Sequence, residues 1–404
     1  MMENAQVRCL TTLLQYALTG KEISEQQLEQ LMQGVDEEKL FALARAHAVA
    51  PLIYDVWSAY PGLKPSVQSG MQAYTMKIVN HSYRLLFYTK YLVGLLEQEG
   101  LPVAVLKGVA TGEFYPKPEL RKAGDVDLML FSEESCRRAV ACLGQNGFRE
   151  HEAGTHLHHV AMIGAEGIEV ELHSMMVEPF DNEATNRVMM QYQKNAQAHV
   201  ARQVCMGVAL PVLAGAYHGL SLLLHLLQHF LTAGFGIKLL CDWVVFWEKQ
   251  PPEVTEEMVE IIHALKVEQF VAAVTGICVR ELGMEERAAG AFLALGEPAV
   301  KEPFYLDQFF TDIIEAEEFG KSDKGRMVAI HGTGLTGYVR EFHHQMHINY
   351  PKAGKCVLCW PILWVMTLAR FLRNNQKLRG TTVGEILKSA GKRGKIVEKM
   401  HLFK

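Results

Sequence analysis

The sequence predicts an α+β protein in which a short alternation of strands and helices is enclosed by helical regions on both sides. Three observations carry that prediction. Residues 3 to 95 place apolar side chains at three- and four-residue intervals, as in "LEQLMQGVDEEKLFALARAHAVAPLIYDVW", the period of amphipathic helices. From "LPVAVLKG", which begins at 101, to about 178 the pattern changes to short β-branched runs separated by one helix. From about 183 helical spacing returns, and "HGLSLLLHLLQHFLTAGFGIKLLCDWVVFWEKQPP" reads as two helices broken near Gly234 and Gly236. The expected organisation is an N-terminal helical region at 1–95, an α/β core at 96–182, and a C-terminal helical region with a basic tail at 183–404.

Local signals support the individual elements. "NHSYRLLFYTKYLVGLLEQEG" continues the first helical pattern and stops at Gly100, a residue suited to the left-handed position after a helix. In "SEESCRRAVACLGQNGF" Ser132 can cap a helix whose first turn is acidic. "THLHHVAMIGAEGIEVELHSMM" holds two strand-like runs around "GAEG", which is a hairpin signature.

The 404 residues are enough for two or three domains with a substantial core. Hydrophobic residues at 49% and charged residues at 21% are ordinary for a globular protein and argue against broad disorder. A net charge of −5 gives no general reason to expect a nucleic-acid partner. The average hides a basic end: Arg370 to Lys404 contains ten Lys or Arg and two Glu. That tail, with the apolar run 356–369 interrupted by Pro361, suits either a solvated helix or weak contact with an anionic membrane surface through 356–404. The run is shorter than the roughly 20 residues a bilayer crossing needs. The first 20 residues lack a basic segment and a small-residue cleavage site, and the eight cysteines are scattered. Reduced thiols in a cytoplasm are expected.

The chemistry concentrates in "KAGDVDLML". Side chains at i and i+2 of a strand share a face, so Asp125 and Asp127 project together while Val126 and Leu128 face the other way. Two adjacent carboxylates repel unless a cation lies between them, and a hard divalent ion such as Mg²⁺ accepts an oxygen site of that kind. In "IEVELHS", Glu169, Glu171 and His173 share a face. If this strand lies beside the first, Glu171 completes a three-carboxylate site able to hold two ions and neutralise a triphosphate leaving group. Gly108 ends the preceding strand where bare backbone can approach a phosphate, and Lys107 and Arg121 are nearby cations suited to phosphate. A solvent-facing strand can also read D-V-D, so the pattern alone leaves both readings open.

Taken together, "LPVAVLKGVA", "YPKPELRKAGDVDLML" and "EVELHS" resemble the nucleotidyltransferase superfamily with the DNA polymerase β-like fold. More narrowly they resemble the bacterial family described as uncharacterised nucleotidyltransferase. "ARAHAVAPLIYDVW", "HLLQHFLTAGFGIKLLCDW" and "YPKAGKCVLCWPILWVMTLARFLR" are similar to that family's flanking segments. The resemblance implies a mixed sheet with helices, Asp125, Asp127 and Glu171 as catalytic metal ligands for Mg²⁺ or Mn²⁺, and a nucleoside triphosphate as substrate. The superfamily's glycine-serine pair is here Gly108-Val109, preceded by Lys107. That departure implies that Lys107 substitutes for the serine hydroxyl at the phosphates.

Other candidates are less specific. His173 shares the face of Glu171 and suits a metal, a phosphate, substrate or a structural hydrogen bond. Lys238 and Asp242 lie four apart on a helix; they reach the nucleotide if that helix caps the cleft, or form a surface ion pair. "HLHH" puts His156 and His158 on one face, too few ligands for zinc, and His225 and His229 lack the glutamate of a zincin and pack. Two functions follow: transfer of a nucleoside monophosphate from an NTP to a hydroxyl of a small molecule or protein, or a catalytically degenerate nucleotide- or partner-binding protein on the same fold.

Overall fold

The computed structural model describes residues 5–317 except 153 and 181, then 343, 346, 350, 356–367, 369 and 393–404. Among the described residues seven strands form one mixed sheet: β1 Ala104–Val105, β2 Val126–Met129, β3 Arg149–Glu150, β4 His159–Ile163, β5 Glu169–His173, β6 Val200–Cys205 and β7 Val208–Leu213. Their spatial order is β3-β4-β5-β2-β1-β7-β6. β1 runs antiparallel to β2 and parallel to β7, β2 runs parallel to β5, and the remaining pairs are antiparallel. The sequence-predicted α+β class and its mixed sheet are therefore present.

Alternation along the strands sorts side chains into two apolar cores. Val105, Val126, Leu128, Met162, Val170, Leu172 and Val212 pack with Leu85, Leu86, Leu92 and Leu96 of the helix Pro65–Gln98 and with Ala139 and Leu143 of Glu133–Gln145. Ala104, Leu106, Met129 and Leu213 belong to the second core, with the helices Gly215–Leu231, Ile237–Trp247 and Glu268–Leu282. Asp127 and Glu171 share the face of Met129, so the acidic face meets the larger helical layer. A one-residue slip of β2 against β5 would exchange these faces, and the cost of burying charge for valine fixes the register.

The local signals read from the sequence appear where expected. The Ser132 hydroxyl accepts from Ser135 N at 3.0 Å, with Glu133 and Glu134 in the first turn that follows. Gly100 takes a φ of +68° just beyond the helix Pro65–Gln98. The helices Gly215–Leu231 and Ile237–Trp247 are separated at Gly234, whose φ is +88°.

One expectation fails. The stretch from 183 onward is not helical throughout, because β6 and β7 form a hairpin that extends the sheet through β1. Cys205 pairs with Val208 across the two-residue turn Met206-Gly207, whose φ values of +46° and +82° are both positive. That geometry matches strand twist and needs a glycine at its second position. At the C-terminus, residues 393–404 pack back on the helices: Tyr305 donates to the Ile396 carbonyl at 2.9 Å, and Arg393 bonds to the Phe230 carbonyl. Of the range 356–404 expected to contact a membrane surface, 368 and 370–392 lie outside the described residues. No helix of the described residues is long and apolar enough to cross a membrane.

Leu172 lies fully buried in the middle of β5. Leu172→Ala should destabilise the protein by ~2–5 kcal/mol, read as a lower urea midpoint at unchanged slope.

Candidate active site

The parallel pairing of β2 and β5 sets Asp127 directly beside Glu171. Asp125 immediately precedes β2 and is half-buried, so the two aspartates straddle the start of the strand. Lys107 follows Leu106, whose N–H donates to the Asp127 carbonyl at 3.1 Å. This backbone bond brings the lysine onto the acidic face. Lys107 Nζ lies 2.8 Å from Asp127 Oδ1. His173 Nε2 lies 3.0 Å from Asp127 Oδ1 and 3.1 Å from Glu171 Oε2.

The electrostatics follow from burial and these neighbours. Burial alone would raise the Asp127 carboxyl, but Lys107 and His173 outweigh it and hold its pKa well below the ordinary range. Burial presses His173 toward neutrality, yet its bonds to Asp127 and Glu171 raise its pKa above the usual value. Lys107 is raised in the same way, against burial, by Asp127, Asp125 and Glu171. Asp125 lacks such compensation. Burial, and then repulsion from Asp127, push its pKa up to about 6, with Lys107 and Lys238 opposing.

The donor set fits a small divalent ion. One ligand atom from each of Asp127, Glu171 and His173 lies within 4.8 Å of the others. Asp127 and Glu171 supply the oxygen ligands that a hard divalent ion takes, and His173 Nε2, 3.0 and 3.1 Å from them, holds the two carboxylates side by side. Asp125 and Glu171 keep partly exposed carboxylates through which a second ligand could be reached.

Arg121 and Asp242 do something the sequence did not predict. Arg121 Nε and Nη2 donate to Asp242 Oδ1 and Oδ2, both at 2.7 Å, and Nη1 donates to the Gly108 carbonyl at 3.2 Å. The Tyr115 hydroxyl donates to Asp242 Oδ1 at 2.6 Å. Arg121, expected at a phosphate, and Asp242, expected at the nucleotide, are both buried and pair with each other. Nor do Lys238 and Asp242 form the surface pair expected as the alternative, since Asp242 is buried. The fork ties the Gly108 turn, where φ is +60°, to the helix Ile237–Trp247. Lys238, on that helix, lies within electrostatic reach of Asp125.

The histidines also differ from their predicted grouping. His156 is exposed and precedes β4, while His158 and His159 are buried and turn toward His173. His225 and His229 pack edge to face at 4.5 Å, as expected, and feel the charge of Lys107. Sequence reasoning missed the Arg121–Asp242 fork, Tyr115 and the inward turn of His158 and His159. Only the last had a signal, a run of histidines entering a strand.

Two outcomes check this account. Asp242→Ala leaves a guanidinium buried without its carboxylate and should cost ~3–5 kcal/mol by urea unfolding. Asp125 has its folded pKa raised, so ionising it between about pH 4 and pH 6 destabilises the folded state. In EDTA, Asp125→Asn should therefore stabilise the protein at pH 7.5 by at most ~3 kcal/mol, a gain that disappears near pH 4.

Comparison with known proteins agrees with the geometry. No curated protein matches the chain. The family model described as "Uncharacterised nucleotidyltransferase" matches residues 33–283, which run from the helix Glu37–Ala46 through all seven strands to the helix Glu268–Leu282. The chain belongs to the uncharacterised nucleotidyltransferase family.

Proposed function

We propose that the protein transfers a nucleoside monophosphate from an NTP to a hydroxyl group of a small molecule or a protein side chain. The observation that carries this reading is the registered pair Asp127 and Glu171 on parallel strands, with Asp125 at the mouth of the same face. Asp125, Asp127 and Glu171 would hold Mg²⁺ or Mn²⁺. When bound, such ions orient the triphosphate and offset the charge that develops on the leaving pyrophosphate.

The chain's own residues have separable tasks. Asp127, buried and ionised, keeps its charge at physiological pH because Lys107 and His173 stabilise it. Lys107 is the cation placed to contact phosphate, since its ammonium already stands on the acidic face. Gly108, with no side chain and a positive φ, lets the backbone turn there. Lys238 approaches from the helical layer and adds positive charge near Asp125. Glu171, partly exposed, would accept the proton of the attacking hydroxyl. Arg121 and Asp242 hold the Gly108 turn against the helical layer in place of touching nucleotide.

A second reading has its own support. Asp127 Oδ1 is already engaged by Lys107 and His173, and Gly108-Val109 offers no hydroxyl to a phosphate. A nucleotide- or partner-binding protein without turnover would need no more.

Thermal shift with ATP, GTP, CTP and UTP, each with Mg²⁺, Mn²⁺ or EDTA, separates these readings from their absence. At about 100 times its dissociation constant a nucleotide should stabilise the wild type by ~2.7 kcal/mol, several degrees, only with metal. Asp127→Asn should lose the shift. Pyrophosphate release with the stabilising nucleotide would support transfer; a metal-dependent shift without release would support the binding reading. No shift with any nucleotide would defeat both.

A further inference from the structure

Next to the carboxylates lies a group of histidines that nucleotidyl transfer leaves without a task. His159 on β4 stands directly across from His173 on β5 in the antiparallel register. His158 is drawn to the end of β5 because its carbonyl accepts from Ser174 N and Met175 N at 3.0 and 3.2 Å. All three rings are buried, at 6%, 5% and 1% exposure for His158, His159 and His173. One nitrogen of each lies within 4.8 Å of the other two, and His158 Nε2 stands 3.0 Å from His159 Nδ1.

Two of these rings are held through one nitrogen. His159 Nε2 lies 2.8 Å from the Gly154 carbonyl, and His173 Nε2 lies between Asp127 and Glu171. His158 Nδ1 stands 3.7 Å from Glu178 Oε1, beyond hydrogen-bond distance, and has no hydrogen-bond partner among the described residues. His173 Nδ1 is likewise fully buried with no hydrogen-bond partner among the described residues. Such an orphan costs ~1–3 kcal/mol, and buried polar atoms in native proteins are nearly always satisfied. A ring anchored through one nitrogen by a carboxylate or carbonyl, with the other turned to a shared space, is how metal-binding imidazoles are oriented.

We propose that His158, His159 and His173 form a transition-metal site of the Zn²⁺ type, ligated through His158 Nε2, His159 Nδ1 and His173 Nδ1. Around a tetrahedral Zn²⁺ with bonds of 2.0–2.1 Å, adjacent nitrogens stand about 3.3 Å apart, a few tenths of an ångström from the observed His158–His159 spacing. Imidazole nitrogens suit Zn²⁺ and its neighbours, whereas Mg²⁺ takes oxygen ligands, so this site is distinct in chemistry from the carboxylates beside it. The two meet at His173. An ion on its Nδ1 leaves the proton on Nε2, where it donates to Asp127 or Glu171. The site staples the β4–β5 hairpin and sets the orientation of a residue in the candidate active site, whether or not that site turns over nucleotide.

The test uses the full chain, stripped by chelation and titrated with Zn²⁺ in the presence of excess Mg²⁺. One Zn²⁺ should bind per chain, and Co²⁺ substitution should give the visible absorption of a tetrahedral ion. His158→Gln and His159→Gln should each weaken Zn²⁺ by at least ~100-fold, Glu178→Gln by ~10–100-fold, and the exposed His156→Gln by less than either. X-ray absorption at the zinc edge of the wild type should count three imidazoles, a readout that survives if a variant fails to fold. Absence of stoichiometric zinc, or fewer than three imidazoles, overturns the proposal. So does affinity that survives His158→Gln and His159→Gln but is lost in Asp127→Asn, which would put the ion on the carboxylates.

Discussion

Asp127 is 3% exposed and carries its charge in the middle of a seven-stranded sheet, where an unpaired carboxylate would cost more than most single interactions return. Its neighbourhood is arranged around that constraint. Lys107 must end the neighbouring strand on the acidic face, His173 must reach across from β5, and β2 must hold one register against β5. Each requirement is met by backbone pairing rather than by long flexible side chains. The ion pair and the register support each other, because neither survives a slip of one residue.

The Arg121–Asp242 fork extends this order outward. A bidentate guanidinium–carboxylate contact has fixed geometry as well as charge. Arg121 also holds the Gly108 carbonyl, so one side chain relates the turn after β1 to the helix Ile237–Trp247. The helical layer is thereby locked to the sheet at the point where Lys238 approaches Asp125. A buried pair of this kind adds little net stability compared with an apolar pair of equal volume; what it supplies here is position.

The core of this arrangement could be read from the sequence because it is local. The D-V-D spacing of Asp125 and Asp127, the E-V-E-L-H spacing of Glu171 and His173, and the "GAEG" turn all express strand period over a few residues. Ser132 and Gly100 announced helix ends for the same reason. The misses are of two kinds. β6 and β7 carried a readable pattern around Met206-Gly207, but the long helical stretches on either side masked it. Arg121 and Asp242 could not be paired by any pattern, being 121 residues apart; Arg121 looked like a cation suited to phosphate, and Asp242 like a partner of Lys238. The inward turn of His158 and His159 depends on where β4 starts, and a boundary error of one or two residues reverses which ring faces the sheet.

The parallel contact between β1 and β7 has a consequence for how the chain assembles. β1 is two residues long, and its outer neighbour arrives about a hundred residues later, through Val105 and Val212. Until β7 docks, the strand leading into Lys107 is an open sheet edge, and such edges are where intermediates stick to one another. On the ribosome, the acidic strands emerge first and must wait for the second hairpin before their sheet is closed on that side. A fragment ending near residue 182 would keep that wait permanently, and would expose the unpaired edge next to the site it was meant to preserve.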